Sequence, residues 1–178
     1  MTEKVLLCYG SRYGTTTEVV QEMAKTAESL GAKINTVFLK KDRSPTNLLD
    51  YDLIIIGSGI RAGQWTREPL KFIKDNLDSL SKQRVALFVV CGYAGNPEKC
   101  EEAQLLYLDS ISEKYSGLSP VSTALIGGVF DFNKYNVAVR ILVKSIVKAQ
   151  MPPGEKIPER IDFRDWDKIR SWIQQLLQ

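Results

Sequence analysis

The 178-residue chain contains no histidine. This absence excludes a Ser-His-Asp triad, a histidine general base and histidine-ligated metal sites. The three cysteines, Cys8, Cys91 and Cys100, are odd in number and lie in unlike contexts. We therefore interpret them as reduced thiols of an intracellular protein and not as a disulfide framework. Any chemistry must use other side chains or a bound cofactor.

Long apolar runs and a strong net charge are also missing. No apolar run approaches the roughly 20 residues that span a bilayer, and the N-terminus lacks the pattern of a secretory signal. The net charge of +3 is too small to indicate a nucleic-acid binder. We expect one cytoplasmic domain over residues 1–178, with no nucleic-acid partner.

Five apolar strand patterns alternate with amphipathic helix patterns. The predicted strands are 4–9, 33–39, 53–56, 85–91 and 121–126, and the predicted helices are 15–30, 68–80, 97–115, 133–151 and 165–177. This alternation predicts an α/β fold, with an open five-stranded parallel sheet and helices on both faces. The first, third and fourth strands are apolar throughout, and the second alternates as an edge strand does. The pattern therefore favours the order 2-1-3-4-5 over 3-2-1-4-5.

The loop after the first strand has the composition of an anion site. It consists of Ser11, Arg12, Tyr13, Gly14, Thr15 and Thr16, and it leads into a helix. Backbone N–H groups and the helix dipole at such a position attract an anion. The loop matches neither G-x-x-x-x-G-K-S/T nor G-x-G-x-x-G, which leaves a site for one phosphate. The alternative is a helix start without a ligand, capped by Thr15 or Thr16 with Glu18 completing a capping box.

Two further glycine-containing loops follow the third and fourth strands, so all three should meet at one edge of the sheet. The second loop contains Ser58, Gly59, Ile60, Arg61, Ala62 and Gly63, and the third contains Cys91, Gly92, Tyr93 and Gly95. Such loops can approach a flat ring closely, and Trp65 and Tyr93 add aromatic faces. Taken singly, each is equally well a surface turn with a half-buried aromatic. Their coincidence with the phosphate loop favours a ligand with a phosphate and a ring.

The helix predicted at 133–151 is apolar over more than half of its circumference. Arg140, Lys144 and Lys148 follow one another at four-residue steps on the remaining stripe. The helix either packs on the fold with its basic stripe in water, or turns its apolar face to a lipid, a quinone or another protein. Both interpretations remain open at this point.

These features resemble the flavodoxins, whose phosphate loop reads S/T-x-T-G-x-T. This chain has S-R-Y-G-T-T, with Tyr13 at the place of the usual threonine. The resemblance is closest to the flavodoxin branch that contains the menaquinone-dependent protoporphyrinogen oxidase of bacteria. The residues that carry it are the Gly59–Gly63 loop, the pair Gly127-Gly128, the basic apolar helix and the closing Asp165-Trp166.

The resemblance implies a flavodoxin-like fold with an inserted helix and connector at about 129–163. It also implies FMN, with its phosphate on residues 11–16 and its isoalloxazine between residues 58–63 and 91–95. The implied activity is that of an FMN-dependent oxidoreductase with a porphyrinogen substrate and a quinone acceptor. Candidate partners for porphyrin carboxylates are Arg61, Arg67, Lys134 and Arg140.

Two alternatives remain beside this function. One is a flavodoxin-type electron-transfer protein that docks a redox partner. The other is a domain that has lost its cofactor, which the departures at Tyr13 and Arg61 allow; many simple flavodoxins have a ring-stacking tryptophan at the latter place. Contact of residues 133–151 with the inner face of a membrane, and a homodimer, are further open expectations.

Overall fold

The computed structural model describes residues 3–40, 44–149 and 151–178. Its central sheet has the order β2-β1-β3-β5-β6, with all neighbours on this path parallel, which confirms the predicted order. A short strand, β4, pairs antiparallel with the end of β3. The strand bounds are β1 Lys4–Gly10, β2 Lys33–Phe38, β3 Leu53–Arg61, β4 Gln64–Trp65, β5 Arg84–Cys91 and β6 Ser122–Gly127.

Helices cover both faces of the sheet. They are α1 Thr15–Ser29, α2 Arg67–Asp75, α3 Leu77–Leu80, α4 Cys100–Gln104, α5 Ser110–Lys114, α6 Val137–Ala149 and α7 Trp166–Leu176. Alternate residues of β1, β3 and β5 enter two buried apolar clusters. One cluster includes side chains of α1 and α7, and the other includes side chains of α2 to α5. These three strands are therefore buried on both faces, as their continuous apolar runs predict.

Two predicted helices are interrupted. The helix predicted at 68–80 breaks at Asn76, whose side-chain amide donates to the carbonyl oxygen of Phe72. Between α4 and α5 the chain forms one π-helical segment, Leu105–Asp109. There the indole N–H of Trp65 donates to the carbonyl oxygen of Tyr107 at 2.6 Å. A side chain that enters the backbone hydrogen-bond ladder is a known cause of such distortions.

Residues 129–163, which form most of the chain between β6 and α7, are called the α6 segment below. It opens with β7 Val129–Asp131 and closes with β8 Arg160–Asp162, which pair antiparallel. The connector expected within 129–163 therefore ends in a strand. The helix itself begins at Val137, four residues later than predicted, because a 3₁₀ turn at Phe132–Lys134 and an extended Tyr135 come first. Residue 150, near its expected end, lies outside the described residues.

Helix α6 turns several of its aliphatic side chains outward. Val137, Ile141 and Leu142 are more than 60% exposed. The guanidinium of Arg140 instead donates to the carbonyl oxygen of Tyr135, and the ammonium of Lys144 lies 5.4 Å from the ring centre of Phe132. Val147, by contrast, is buried, Val139 and Val143 are half-buried, and Lys148 is exposed. The helix therefore packs on the fold through one part of its apolar surface and exposes another, so each of the two interpretations describes part of it.

The end of the α6 segment is attached to the start of α1 through Arg164. Its side chain is only 4% exposed and donates to Glu18 at 2.5 Å and to both carboxylate oxygens of Asp162. The guanidinium also stacks over Trp166, 4.6 Å from its ring centre. These hydrogen bonds lower the pKa of Asp162 below its usual range.

We expect Arg164→Met to lower the free energy of unfolding by about 2 kcal/mol in urea titrations, because it removes a buried, multiply bonded guanidinium. The matched control is Arg160→Met, which removes a half-exposed partner of the same Asp162 and should cost about 0.5 kcal/mol or less. The effect of Arg164→Met should shrink in acid, as Asp162 becomes protonated and its contribution to folding is lost. Equal losses for the two variants would contradict the assigned role of Arg164.

Candidate functional site

The loops after β1, β3 and β5 meet at the carboxyl edge of the sheet. The strand register pairs Gly10 with Ser58, and Ser58 with Val89. The first loop closes on itself, because the backbone N–H of Gly14 donates to the Ser11 hydroxyl at 3.1 Å. Gly14 has φ 91°, a left-handed conformation that glycine adopts readily. This turn brings the chain directly into α1.

No side chain caps the start of α1. The N-cap position is Gly14, and Thr15 and Thr16 already lie inside the helix, so the expected threonine cap is wrong. Glu18 does not complete a capping box either, because it is the fourth residue after the N-cap and not the third, and its carboxylate is bonded to Arg164. In α7, by contrast, the Asp165 carboxylate accepts the backbone N–H of Lys168 at 3.0 Å. The first-turn N–H groups of α1, which have no acceptor within a helix, are therefore left for water or an anion.

The second loop reaches the first through Gly59. A Cβ atom at Gly59 would lie 2.8 Å from the hydroxyl oxygen of Thr16, whose side chain is buried. A larger residue at position 59 would therefore displace the first turn of α1. The two regions expected to hold the phosphate and the ring are thus in contact.

The second region is a β-hairpin and not an open loop. Strand β3 continues to Arg61, and Ala62 and Gly63 form the turn with φ 47° and 74°. At the base, the fully buried Ser58 hydroxyl accepts the backbone N–H of Thr66 and contacts its hydroxyl, both at 2.9 Å. The Ser58 side chain therefore stabilises the hairpin. Arg61, Ala62 and Gly63 are exposed at its tip.

Trp65 and Cys91 are both buried, so neither is available at the sheet edge for ring stacking or for reaction. Trp65 is buried and directs its indole N–H to Tyr107, so it packs in the core. Ile60, its partner in the hairpin register, is half-buried against the same core cluster. Cys91 is also buried, and burial raises the pKa of its thiol. A protonated, buried thiol is a poor nucleophile.

The third loop offers one exposed aromatic ring. Tyr93 begins a 3₁₀ turn that ends at Gly95, and its side chain is 36% exposed. The ammonium of Lys99 lies 5.9 Å from its ring centre, and the ring of Tyr107 is 6.3 Å away. Of the two aromatic residues expected at this edge, Trp65 and Tyr93, Tyr93 is therefore the one with an exposed ring.

Gly92 and Gly95 of the third loop lie in close contact with two phenylalanine rings. A Cβ at Gly92 would lie 2.3 Å from the ring of Phe130, and one at Gly95 would lie 2.3 Å from the ring of Phe163. These two phenylalanines lie at the two ends of the α6 segment, and the sequence reasoning missed both. The alternation Val129-Phe130-Asp131-Phe132 was the available signal, since it is typical of a strand.

The edge as a whole suits a phosphate-bearing ligand. Residues 10–17 contain no acidic side chain, and their hydroxyls and N–H groups can donate hydrogen bonds to an anion. Within the described residues, no group of three or more histidine, cysteine, aspartate or glutamate side chains could hold a metal ion. In the same part of the chain, none of the helices has the length and apolar character needed to cross a bilayer.

Comparison with known proteins identifies the class. Residues 6–156 match the family model described as the flavodoxin domain. The structure is similar to that of oxidised flavodoxin 1 from Bacillus cereus, with a TM-score of 0.53 and 18% identity, over 84% of this chain and 99% of that chain. The chain belongs to the flavodoxin domain family, and the family indicates a flavin cofactor.

Two curated relatives indicate which branch of this family the chain resembles. The protoporphyrinogen IX dehydrogenase (quinone) of Escherichia coli (strain K12) is 24% identical over 177 residues, which cover 97% of this chain and 94% of that protein. A Leishmania major protein of the same name is 24% identical over 95% of this chain and 72% of its own length. The sequence resemblance to this branch of the flavodoxins is confirmed.

Proposed function

We propose that the chain is an FMN-dependent oxidoreductase that oxidises a porphyrinogen and passes the electrons to a quinone. The observation that carries the cofactor assignment is the uncapped start of α1, in contact with Gly59 of the second loop. The phosphate binds residues 11–16, and the isoalloxazine lies between residues 58–63 and 91–95. When bound, FMN supplies the redox chemistry, and the protein supplies binding, orientation and electrostatics.

The substrate assignment is supported by the relatives named protoporphyrinogen IX dehydrogenase (quinone), which align over almost the whole chain. The Bacillus cereus flavodoxin aligns over nearly all of its own length and still leaves part of this chain unmatched. We infer that the α6 segment is an insertion within a single domain of residues 1–178, and that it serves the porphyrinogen reaction.

The exposed basic side chains at the carboxyl edge are the groups that can bind substrate carboxylates. Arg61 at the hairpin tip and Arg67 at the start of α2 are both exposed, as is Lys134 in the α6 segment. Arg140 is less suited, because its Nε atom is buried and its guanidinium already donates to Tyr135. Arg61 is the nearest of these to the proposed ring site and is our first choice.

We expect FMN to bind at least about 100-fold more tightly than riboflavin, because charge-assisted hydrogen bonds to the phosphate are each worth roughly 1.5–3 kcal/mol. Thr15→Asp places a carboxylate in the first turn, where the helix dipole tolerates it but a phosphate is repelled. FMN affinity should then fall at least about tenfold, whereas riboflavin affinity should change less than about threefold. Titration of flavin fluorescence measures both ligands. Equal affinities for FMN and riboflavin would contradict a phosphate site at residues 11–16.

We expect the FMN-loaded protein to oxidise protoporphyrinogen anaerobically only when a menaquinone analogue is present. Arg61→Met should raise the substrate KM by about tenfold, because it removes a charge-assisted contact to a carboxylate. KM is measured at saturating FMN, since Arg61 also lies in the loop proposed to hold the ring. Arg160→Met, at the far end of β8, is the control and should leave KM unchanged. An FMN-loaded protein without turnover that exchanges electrons rapidly with a redox protein would instead favour the electron-transfer function.

The outward face of α6 fits the surface of a bilayer containing the quinone. Ile141, Leu142 and Ile146 are between 46% and 63% exposed, and the 13-residue helix contains no acidic residue. Exposed Lys134 and Lys148 lie at its two ends, where they can pair with anionic lipid headgroups. We propose that this face docks on an anionic membrane, where lipid-soluble quinones are found.

We expect the protein to sediment with vesicles containing about one-third phosphatidylserine and less with pure phosphatidylcholine vesicles. Leu142→Glu should weaken vesicle binding by about tenfold, because a buried leucine contributes about 1.5–3 kcal/mol. Leu106→Glu, at a leucine 52% exposed outside α6, is the matched control. Absence of vesicle binding together with a dimer that Leu142→Glu dissociates would assign the face to a second copy of the chain.

A further inference from the structure

A continuous row of aromatic side chains joins the phosphate loop to the α6 segment. The ring of Tyr13 meets that of Tyr135 edge to face, with 5.1 Å between ring centres. Tyr135 meets Phe132 at 6.2 Å, Phe132 stacks with Phe130 at 6.5 Å, and Phe130 meets Phe163 at 5.9 Å. These five residues are called the aromatic brace below. Edge-to-face and offset contacts at such distances are favourable.

The aromatic brace contacts two of the three loops of the proposed cofactor site. Tyr13 belongs to the first loop, and Phe130 and Phe163 occupy the space next to Gly92 and Gly95 of the third loop. The Phe163 carbonyl would also lie 1.9 Å from a Cβ at Gly127, so the segment closes tightly on the sheet edge. The α6 segment therefore packs directly on the residues that would hold the cofactor.

Residues of α6 and of the turn before it hold Tyr135 in place through polar contacts. The Arg140 guanidinium donates to the Tyr135 carbonyl oxygen at 3.2 Å, and the Lys144 ammonium lies over the Phe132 ring. The Asp131 carboxylate accepts the backbone N–H of Asn133 and so caps the 3₁₀ turn before Tyr135. A shift of α6 would move Tyr135, and through it Tyr13.

We propose that Tyr135 is a positioning residue for the cofactor, which holds the phosphate loop through Tyr13, so that FMN binding and docking of the α6 segment stabilise each other. This inference rests on the proposed binding of FMN. It also gives a reason for Tyr13: a threonine at this place offers a hydroxyl, whereas a tyrosine offers a ring that contacts Tyr135 of the α6 segment. Coupling between two sites is reciprocal, so the same factor must appear in both directions.

The first test is a double-mutant cycle on FMN affinity. Tyr135→Leu should weaken FMN binding about three- to tenfold, which corresponds to the usual strength of an aromatic pair. The same substitution in a Tyr13→Thr background should change FMN affinity less than about twofold, because the contact is already absent. Tyr135→Phe keeps the ring and should bind FMN as the wild type does. Tyr51→Leu, at the opposite end of β3, is the control for loss of a tyrosine elsewhere.

The second test uses amide hydrogen exchange to measure how FMN binding affects the α6 segment. FMN should slow the exchange of residues 137–149 in the wild type, although these residues do not touch the phosphate loop. In Tyr13→Thr, FMN should no longer slow that exchange, while protection of residues 15–18 at the start of α1 should persist. Tyr13→Thr alters a half-buried loop position outside the core, so it keeps the test decisive if Tyr135→Leu fails to fold.

The outcomes separate this inference from the proposed function. A wild-type protein that does not bind FMN overturns both. A wild-type protein that binds FMN, with Tyr135→Leu binding equally well and no change in exchange at 137–149, overturns the coupling alone. Non-additive affinities in the cycle together with FMN-dependent protection that needs Tyr13 support it.

Discussion

The first turn of α1 has backbone N–H groups that must find acceptors, and the rest of the carboxyl edge is arranged around that requirement. Ser11 closes the loop in front of the helix by accepting the Gly14 N–H, and Gly14 takes the left-handed conformation that leads into the helix. Three threonines follow, yet none caps the helix from outside. The helix dipole and the open donors together favour an anion at the end of β1.

Glu18 is the acidic residue in the first turn of α1, and its carboxylate accepts a hydrogen bond from Arg164 and not from these N–H groups. A glutamate in the first turn commonly folds back as part of a capping box. Here its carboxylate is bonded to a guanidinium that is itself buried, bonded to Asp162 and stacked on Trp166. The capping box expected from the sequence does not form, because Gly14 is the N-cap and Glu18 is then the fourth residue of the helix and not the third. The contact of Glu18 with Arg164 attaches the end of the α6 segment next to the start of α1.

The sequence predicted features that depend on local pattern and missed those that depend on distant partners. Strand order followed from the apolar runs of β1, β3 and β5, because burial on both faces leaves a signal in each strand by itself. The roles of Gly92 and Gly95 could not be read in this way, since Phe130 and Phe163 are brought to them only by the fold. The same holds for Tyr13, whose partner Tyr135 is 122 residues away along the chain. The assignment of residues 11–16, 58–63 and 91–95 to a cofactor remains a prediction.

The orientation of helix α6 depends on the residues that surround it, because its sequence pattern allows more than one face to pack inward. Its sequence allows either face to turn inward, and in water the usual solution buries the aliphatic face. Here the aromatic brace offers rings and a backbone carbonyl, which suit Lys144 and Arg140, so these two cations lie beside the inward-facing Val147. The Nε atom of Arg140 is left buried without a partner among the described residues, at a typical cost of about 1–3 kcal/mol. The helix therefore packs through one apolar stripe and exposes a second one, and the exposed stripe of Ile141, Leu142 and Ile146 is the part that the packing of the fold does not explain.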